Sequence, residues 1–388
     1  MANTLKFGNG EWYGKEDTIL AYNDENKNYK PLPFSFERGS TATRINKEGL
    51  IETVGSGEPR IDYKDDSKGA LLLEPSRTNL VTYSEDFSQW TNQSSGTGSA
   101  PIITLNNIIS PDGTQNADKI VFNKGTGVST SDLSIISSNS FTSQTNTVSF
   151  YIKADSPQKI VVRNSTNWQL IDVTTEWQRI SKTDNGGGVQ IGLRDGYGIS
   201  GVPDTATIYL WGAQAEASSY ATSYIPTQGT AQTRLADKCT GSGNSEVFND
   251  SEGVLMAEIS ALADDGTARA ITIRKDGGDF VKLLYSPSSN RIDFVTFSST
   301  LLSCNITKVL SDTTDNNKIA IKYKQNDFAL WVNGIKVGQD LIGNAPLGLN
   351  QLSFTDEGGV GSPFYGKVKQ LKYYDTALTD QKLQVLIN

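Results

Sequence analysis

The stretch KIAIKYKQNDFALWVNGIKVG, residues 318–338, decides the fold class. Leu330 and Val332 alternate along ALWV, and Asn333-Gly334 separates that run from IKV. Both central positions of a tight type I′ turn want positive φ, which Asn and Gly tolerate best, so the stretch predicts a β-hairpin. Working outward, Val148, Phe150 and Ile152 form a second alternating run, and Ile208 and Leu210 a third. Asn-Gly, Asp-Gly, Gly-Gly and Ser-Pro recur between such runs, which is how an antiparallel sandwich reads. The fold class is therefore all-β. Helix is expected only at the extreme end, where Thr379 can cap and Leu383, Leu386 and Ile387 share one face.

The 388 residues suffice for two or three domains, each with its own core. Residues 1–80 are dense in polar and turn residues and short of apolar runs. They read as a partly extended attachment region that gains order on a partner or on sister subunits, because such a segment cannot offset its ordering entropy alone. With 35 basic and 43 acidic side chains the formal charge is -8, which argues against nucleic acid as a partner. No run of 18 apolar residues occurs and MANTLKFGNG lacks an apolar export core, so neither membrane insertion nor a signal peptide is expected. Synthesis in a cytoplasm follows, and Cys239 and Cys304 are expected as two unrelated, reduced thiols.

The chain contains no histidine. Ser-His-Asp and Cys-His arrangements and imidazole-based zinc sites are thereby excluded. Carboxylate pairs could still cleave glycosides, but no short EXDXXE-type catalytic strand is present, so the chain is read as a non-enzyme with no catalytic residues. GGGVQIG (186–192) and GGVG (358–361) lack the lysine and the strand-turn-helix setting of a phosphate cradle and read as strand-linking loops.

RGSTATR (38–44), EPRIDY (58–63), LLLEPSRTNL (71–80) and YATSYIPTQGTAQTRLAD (220–237) together resemble a recurrent block of structural proteins from tailed bacteriophages, of the tail, fibre or head-decoration type. The block flanks a β-rich insert in which SPDGTQNADKI (110–120), TVSFYIKA (147–154), TTEWQRIS (174–181) and ATIYLWGAQAE (206–216) look like a galactose-binding-type jelly roll. SEGVLMAEISAL, the 318–338 hairpin and the closing GKVKQLKYYDTALTDQKLQVLIN are similar to a concanavalin A-like, laminin-G-like sandwich. The division implied is a virion-attachment region at 1–80, a jelly roll at 81–237, a linker at 238–244 and a second sandwich at 245–388.

The resemblance implies a structural component of a virion that contacts host surface glycans. Its partners would be other virion proteins, sister copies in a trimer, and cell-surface polysaccharide. A purely architectural cement protein and a glycan depolymerase are the alternatives. Because sugars stack C–H faces on exposed rings, the carbohydrate-binding candidates are Trp168 beside Asn167 and Gln169, Tyr197 within GLRDGYG, and Trp211. Trp177 is expected in the core, as in the resembling modules. No cofactor is expected, although relatives of the second sandwich often hold calcium. DTTDNN (312–317) and DDGT (264–267) supply oxygens, yet they lack the spacing of a helix-loop-helix calcium site, and such oxygens usually serve the backbone of turns.

Overall fold

The computed structural model describes residues 5–12, 14–15, 18–23, 28–165, 167–275 and 278–388. They form two compact units of antiparallel β-sheet. One comprises Met1–Gly49, Val54–Pro75 and Leu235–Asn388; the other comprises Leu50–Thr53 and Ser76–Arg234.

In the first unit the strand Glu252–Ala261 lies between Gly366–Tyr374 and Asn317–Lys324, and the sheet continues through Phe328–Val332 to Ile335–Asp340. The last two strands are the expected hairpin, with Asn333 at φ 46° and Gly334 at φ 83°. A second sheet runs Leu301–Val309, Arg291–Ser298, Phe280–Tyr285, Arg269–Arg274, Gln351–Ser353. Leu255, Ala257 and Ile259 point one way into a core shared with Ile271, Val281 and Phe294. Val254 and Met256 point the other way and are covered by Leu383 of the helix Asp380–Leu386 and by its C-cap Ile387, while the N-cap Thr379 accepts from Lys382 N. Thus the terminal helix exists to cover an apolar outer face. Cys239 and Cys304 are free and buried, and burial pushes the Cys304 thiol up to about 12.

Residues 1–80 do not form a region of their own. Leu5–Gly8 and Ala70–Leu73 both pair with Gly366–Tyr374. Leu5, Phe7, Phe34, Phe36, Leu71 and Leu73 belong to the same core as the C-terminal strands. The scarcity of apolar residues that made this segment look unfinished is resolved by lending them to the sandwich, where burial of Phe34 and Phe36 contributes about 2–3 kcal/mol each. The expected linker at 238–244 is ordered too. Cys239 pairs with Phe36 in a short strand, and Ser242 and Leu352 exchange backbone hydrogen bonds of 2.9 and 2.7 Å.

The motifs that carry the phage resemblance meet inside this unit. Arg38 from RGSTATR, Arg60 from EPRIDY, Glu74 from LLLEPSRTNL and Asp237 from TRLAD form one buried ion cluster. Arg38 Nη1 lies 3.0 Å from Asp237 Oδ1, Arg60 Nη1 lies 2.6 Å from Glu74 Oε2, and Arg60 Nη2 pairs with Asp237 Oδ2. Asp237 Oδ2 also accepts the Glu74 backbone N–H at 2.8 Å. Burial alone would lower the proton affinity of the Arg60 guanidinium; the charges of Glu74 and Asp237 more than offset this and raise it. Two positive and two negative groups balance, which is the condition for leaving charges in a core.

The second unit is a jelly-roll sandwich of two five-stranded sheets. One runs Thr91–Ser95, Leu133–Ser137, Gln190–Arg194, Gln158–Arg163, Gln169–Val173; the other runs Ser99–Ile108, Ala117–Asn123, Thr205–Glu216, Gln144–Lys153, Gln178–Gly186. Val148, Phe150, Ile152, Ile208 and Leu210 all point into the core between them. Chain entry and exit lie side by side, since Arg77–Asn79 pairs with Gln232–Arg234. Asn79 pins this point. Its Nδ2 donates to Ala213 O and Ile225 O, and its Oδ1 accepts from Val81 N and Ala215 N, at 2.8–3.1 Å.

Candidate functional site

The structure separates the three sugar-binding candidates. Trp211 is 1% exposed, packed under Tyr151 and Tyr224 with ring centroids 5.6 and 4.6 Å away. It offers no face to a ligand. Alternation did point it away from Ile208 and Leu210, but that outer side of the sheet is roofed by the tyrosines. Trp168 is also buried, on the outer side of the other sheet against Leu133, Ile135 and Val161. Only Tyr197 is open to solvent, at 55%. Trp177, expected in the core, is half-buried at the surface and donates its Nε1–H to Ile109 O at 3.2 Å. Its strand, Gln178–Gly186, is an edge strand, so a residue just ahead of it reaches the rim instead of the interior.

A concavity of about 370 Å³ opens elsewhere on the jelly roll, lined by Tyr83, Glu85, Asp86, Leu105, Asn106, Asn116, Asp118 and Gln228 among others. Four chain segments build it. Tyr83 bridges to Gln228 through the backbone, and its carbonyl accepts Trp90 Nε1–H at 3.0 Å. Asp86 caps the 3-10 turn Phe87–Gln89. Asp118, at the start of Ala117–Asn123, ties the segments together, because Oδ2 accepts Phe87 N at 3.0 Å and Oδ1 accepts Asn106 N at 2.9 Å.

The cleft is electrostatically loaded. Burial, reinforced by the charges of Asp86 and Glu85, pushes the Asp118 carboxyl up to about 6 against its two backbone hydrogen bonds. Burial and the Asp112 charge likewise raise Glu85, despite hydrogen bonds from Tyr224 at 2.7 Å and Asn116 at 3.2 Å. Asp112 goes the other way: burial would raise it, but hydrogen bonds from Ser110 and Thr114 hold it below the usual aspartate range. An aromatic ring, an apolar wall at Leu105, three amides and several carboxylates make a surface suited to a polyhydroxylated ligand.

A pH effect follows from Asp118. Its folded pKa exceeds that of an unfolded aspartate, so the folded state holds more protons between about pH 4 and 6, and stability falls as pH rises through that window. Asp118→Asn lacks this titration. The melting temperature of the variant relative to wild type is expected to rise between about pH 4.5 and 7; a constant difference across that range would remove the assignment.

Tyr83, Asn106, Asn116 and Gln228 went unnoticed as ligand groups in the sequence. For Tyr83 and Asn116 the signal was there, since LVTYSEDFSQW and SPDGTQNADKI concentrate carboxylates and amides, but those stretches read as part of the recurrent block and of the jelly roll. The loop oxygens considered for calcium serve turns. Asp312 Oδ1 accepts from Thr314 N and Oγ1 at 2.7 and 2.8 Å, and Asp265 pairs with Arg269 at 2.8 Å. Among the described residues no three His, Cys, Asp or Glu side chains are grouped to hold a metal.

No family model matches the chain, and no curated protein matches it either. Solved structures do. The carbohydrate-binding module (CBM40) of the Ruminococcus gnavus IT-sialidase, bound to α2,3-sialyllactose, is 13% identical, with 38% of this chain and 94% of that chain covered and a TM-score of 0.32. Domain 4 of AbnA, a GH43 extracellular arabinanase from Geobacillus stearothermophilus, in complex with arabinotriose, is 12% identical over 44% and 82%, with a TM-score of 0.33. Domains LG4-5 of the mouse laminin α1 chain are 9% identical over 74% and 94%, with a TM-score of 0.27.

Proposed function

We propose that the chain is a non-enzymatic structural component of a bacteriophage particle whose jelly-roll unit takes up host-surface saccharide in the Tyr83–Asp118 cleft. The observation that carries the saccharide reading is the cleft itself, in which one aromatic face stands beside a dense set of amides and carboxylates. The virion reading is supported by the resemblance of the four motif segments. They are structural staples of the first unit and of the neck of the second, as befits a scaffold that presents an insert.

The depolymerase alternative draws on Glu85 and Asp118, whose raised pKa values suit a general acid. Hydrogen bonding favours binding instead. Both oxygens of Asp118 accept backbone N–H groups and both oxygens of Glu85 accept side-chain donors, so each is held as an acceptor. The test is a titration of the intact protein against host capsule, lipopolysaccharide and teichoic acid. Tyr83→Ala is expected to weaken saccharide binding by about tenfold or more, the scale of one lost stacking contact with its buried area. Absence of binding in the wild-type protein, or an unchanged affinity in the variant, would remove the reading. Release of new reducing ends would favour the depolymerase, and labelled antibody on purified particles tests the virion assignment.

Assembly with sister copies, a trimer in this reading, has a surface available. Leu301, Leu302, Leu341, Ile342 and Leu347 are 54–80% exposed. Asp279 draws their two segments together by accepting from Ser299 N and Leu347 N, at 2.7 and 2.8 Å. They expose on the order of 500 Å² of apolar side chain, a large patch for a monomer and comparable with the ~800 Å² each partner buries in a standard interface. Leu302→Glu is expected to shift the particle mass in solution to that of a single chain; a mass unchanged by the substitution would exclude this face.

A further inference from the structure

Around Trp168 the jelly roll gathers positive charge that no acid among the described residues answers. Arg163 and Arg194 both stand over the Trp168 ring, 4.9 and 5.7 Å from its centroid. Arg194 also lies 4.8 Å from the Tyr197 ring centroid and donates from Nη2 to the Tyr197 hydroxyl at 3.1 Å. Arg163 donates its Nε–H to Gln190 Oε1 at 2.5 Å, and among the described residues the outer fork of its guanidinium has no acceptor. Neither arginine forms an ion pair among the described residues, although acidic side chains outnumber basic ones 43 to 35 in the chain. The acid next in sequence, Asp195, pairs with Lys124 at 2.6 Å instead.

Other features of the cluster are also incomplete. Trp168 is 8% exposed, and both its Nε1–H and the Nε–H of Arg194 are buried without a hydrogen-bond partner among the described residues. Burial, together with the neighbouring Arg194 charge, lowers the proton affinity of Arg163. Tyr197 sits at φ 57° between Gly196 and Gly198, a conformation that costs a non-glycine residue about 1–2 kcal/mol. Like charges held together, orphaned donors and a strained exposed ring are unfavourable in an empty surface, and such violations of local rules cluster where a ligand compensates them.

We propose that Arg163, Arg194, Trp168 and Tyr197 form a binding site for an oxyanion carried by a saccharide, such as a uronate carboxylate, a sulfate or a phosphate substituent. Guanidinium forks match planar and tetrahedral oxyanions with paired N–H bonds, and the anion would screen the two positive charges from each other. The Tyr197 ring provides a face for the C–H side of the same sugar. The inference deepens the saccharide reading by naming an acidic class of glycan, but it uses none of the residues of the Tyr83 cleft.

The intact protein is titrated with a glucuronate-terminated disaccharide, its glucose-terminated counterpart and inorganic sulfate, following tryptophan fluorescence and melting temperature. The glucuronate sugar is expected to bind at least tenfold tighter than the glucose sugar, and sulfate to compete with it. Arg163→Gln and Arg194→Gln are each expected to lose at least tenfold of that affinity, Arg163→Lys less, and Tyr83→Ala none. Equal binding of the two disaccharides, or full affinity in both glutamine variants, would overturn the site. If a glutamine variant misfolds, the ligand-induced rise in melting temperature of the wild-type protein decides: a rise with glucuronate and not glucose supports the site, and no rise refutes it. Failure of host-polysaccharide binding with retention of glucuronate binding would count against the Tyr83 cleft alone.

Discussion

Asp237→Asn is expected to destabilise the first unit by about 3–5 kcal/mol, the cost of breaking a buried ion pair from one side. Asp237 answers Arg38 and Arg60 at once and accepts the Glu74 backbone N–H. Without its charge, two buried guanidiniums face the single carboxylate of Glu74, in a place no water reaches to screen them. Hydrogen exchange should show the loss in the peptides around 34–45, 58–74 and 235–240, the strands and turns that the cluster joins, before it appears in the jelly roll. Replacing Arg38, Arg60, Glu74 and Asp237 together by apolar residues of similar size is expected to cost far less than the single change, because no charge is then left unpaired. A Asp237→Asn protein that unfolds within about 1 kcal/mol of wild type would show that the cluster is not the clasp described here.

Asn79→Ala is the counterpart in the second unit, with an expected loss of about 3–5 kcal/mol, set by buried backbone groups left unsatisfied at about 1–3 kcal/mol each. The side chain is fully buried and satisfies Ala213 O, Ile225 O, Val81 N and Ala215 N at the neck of the jelly roll. Alanine removes all these partners at once. Aspartate at this position tests the same point more finely, since it keeps the acceptor for Val81 and Ala215 but sets a carboxylate oxygen against two carbonyls. Protection against hydrogen exchange should fall first in Asn79–Val81 and Ala213–Ile225. If protection there is unchanged in Asn79→Ala, the neck is held by the pairing of Arg77–Asn79 with Gln232–Arg234 alone.

The β-hairpin at Asn333-Gly334, the run Val148-Phe150-Ile152 and the capped helix after Thr379 were legible because each is encoded within a few residues. Positive φ, two-residue alternation and a helical face are local properties. Trp211 was misread for the opposite reason. Alternation assigns a side chain to one face of a strand, but whether that face is wet depends on Tyr151 of another strand and Tyr224 of a loop. The separate reading of residues 1–80 failed likewise, since the partner for Leu5–Gly8 lies at Gly366–Tyr374, at the other end of the chain.

Sequence by itself determined that the protein is an antiparallel β-sandwich chain without histidine chemistry, and it marked the segments that needed explanation. Only the tertiary structure decided that those segments converge on Asp237 and Asn79, and that Tyr83 and Asp118 share a cleft. It alone decided that two arginines flank one tryptophan with no acid paired to them among the described residues. Pattern and turn chemistry are set by neighbours along the chain, whereas burial, charge balance and cleft geometry are set by residues distant in sequence, whose meeting no local rule encodes.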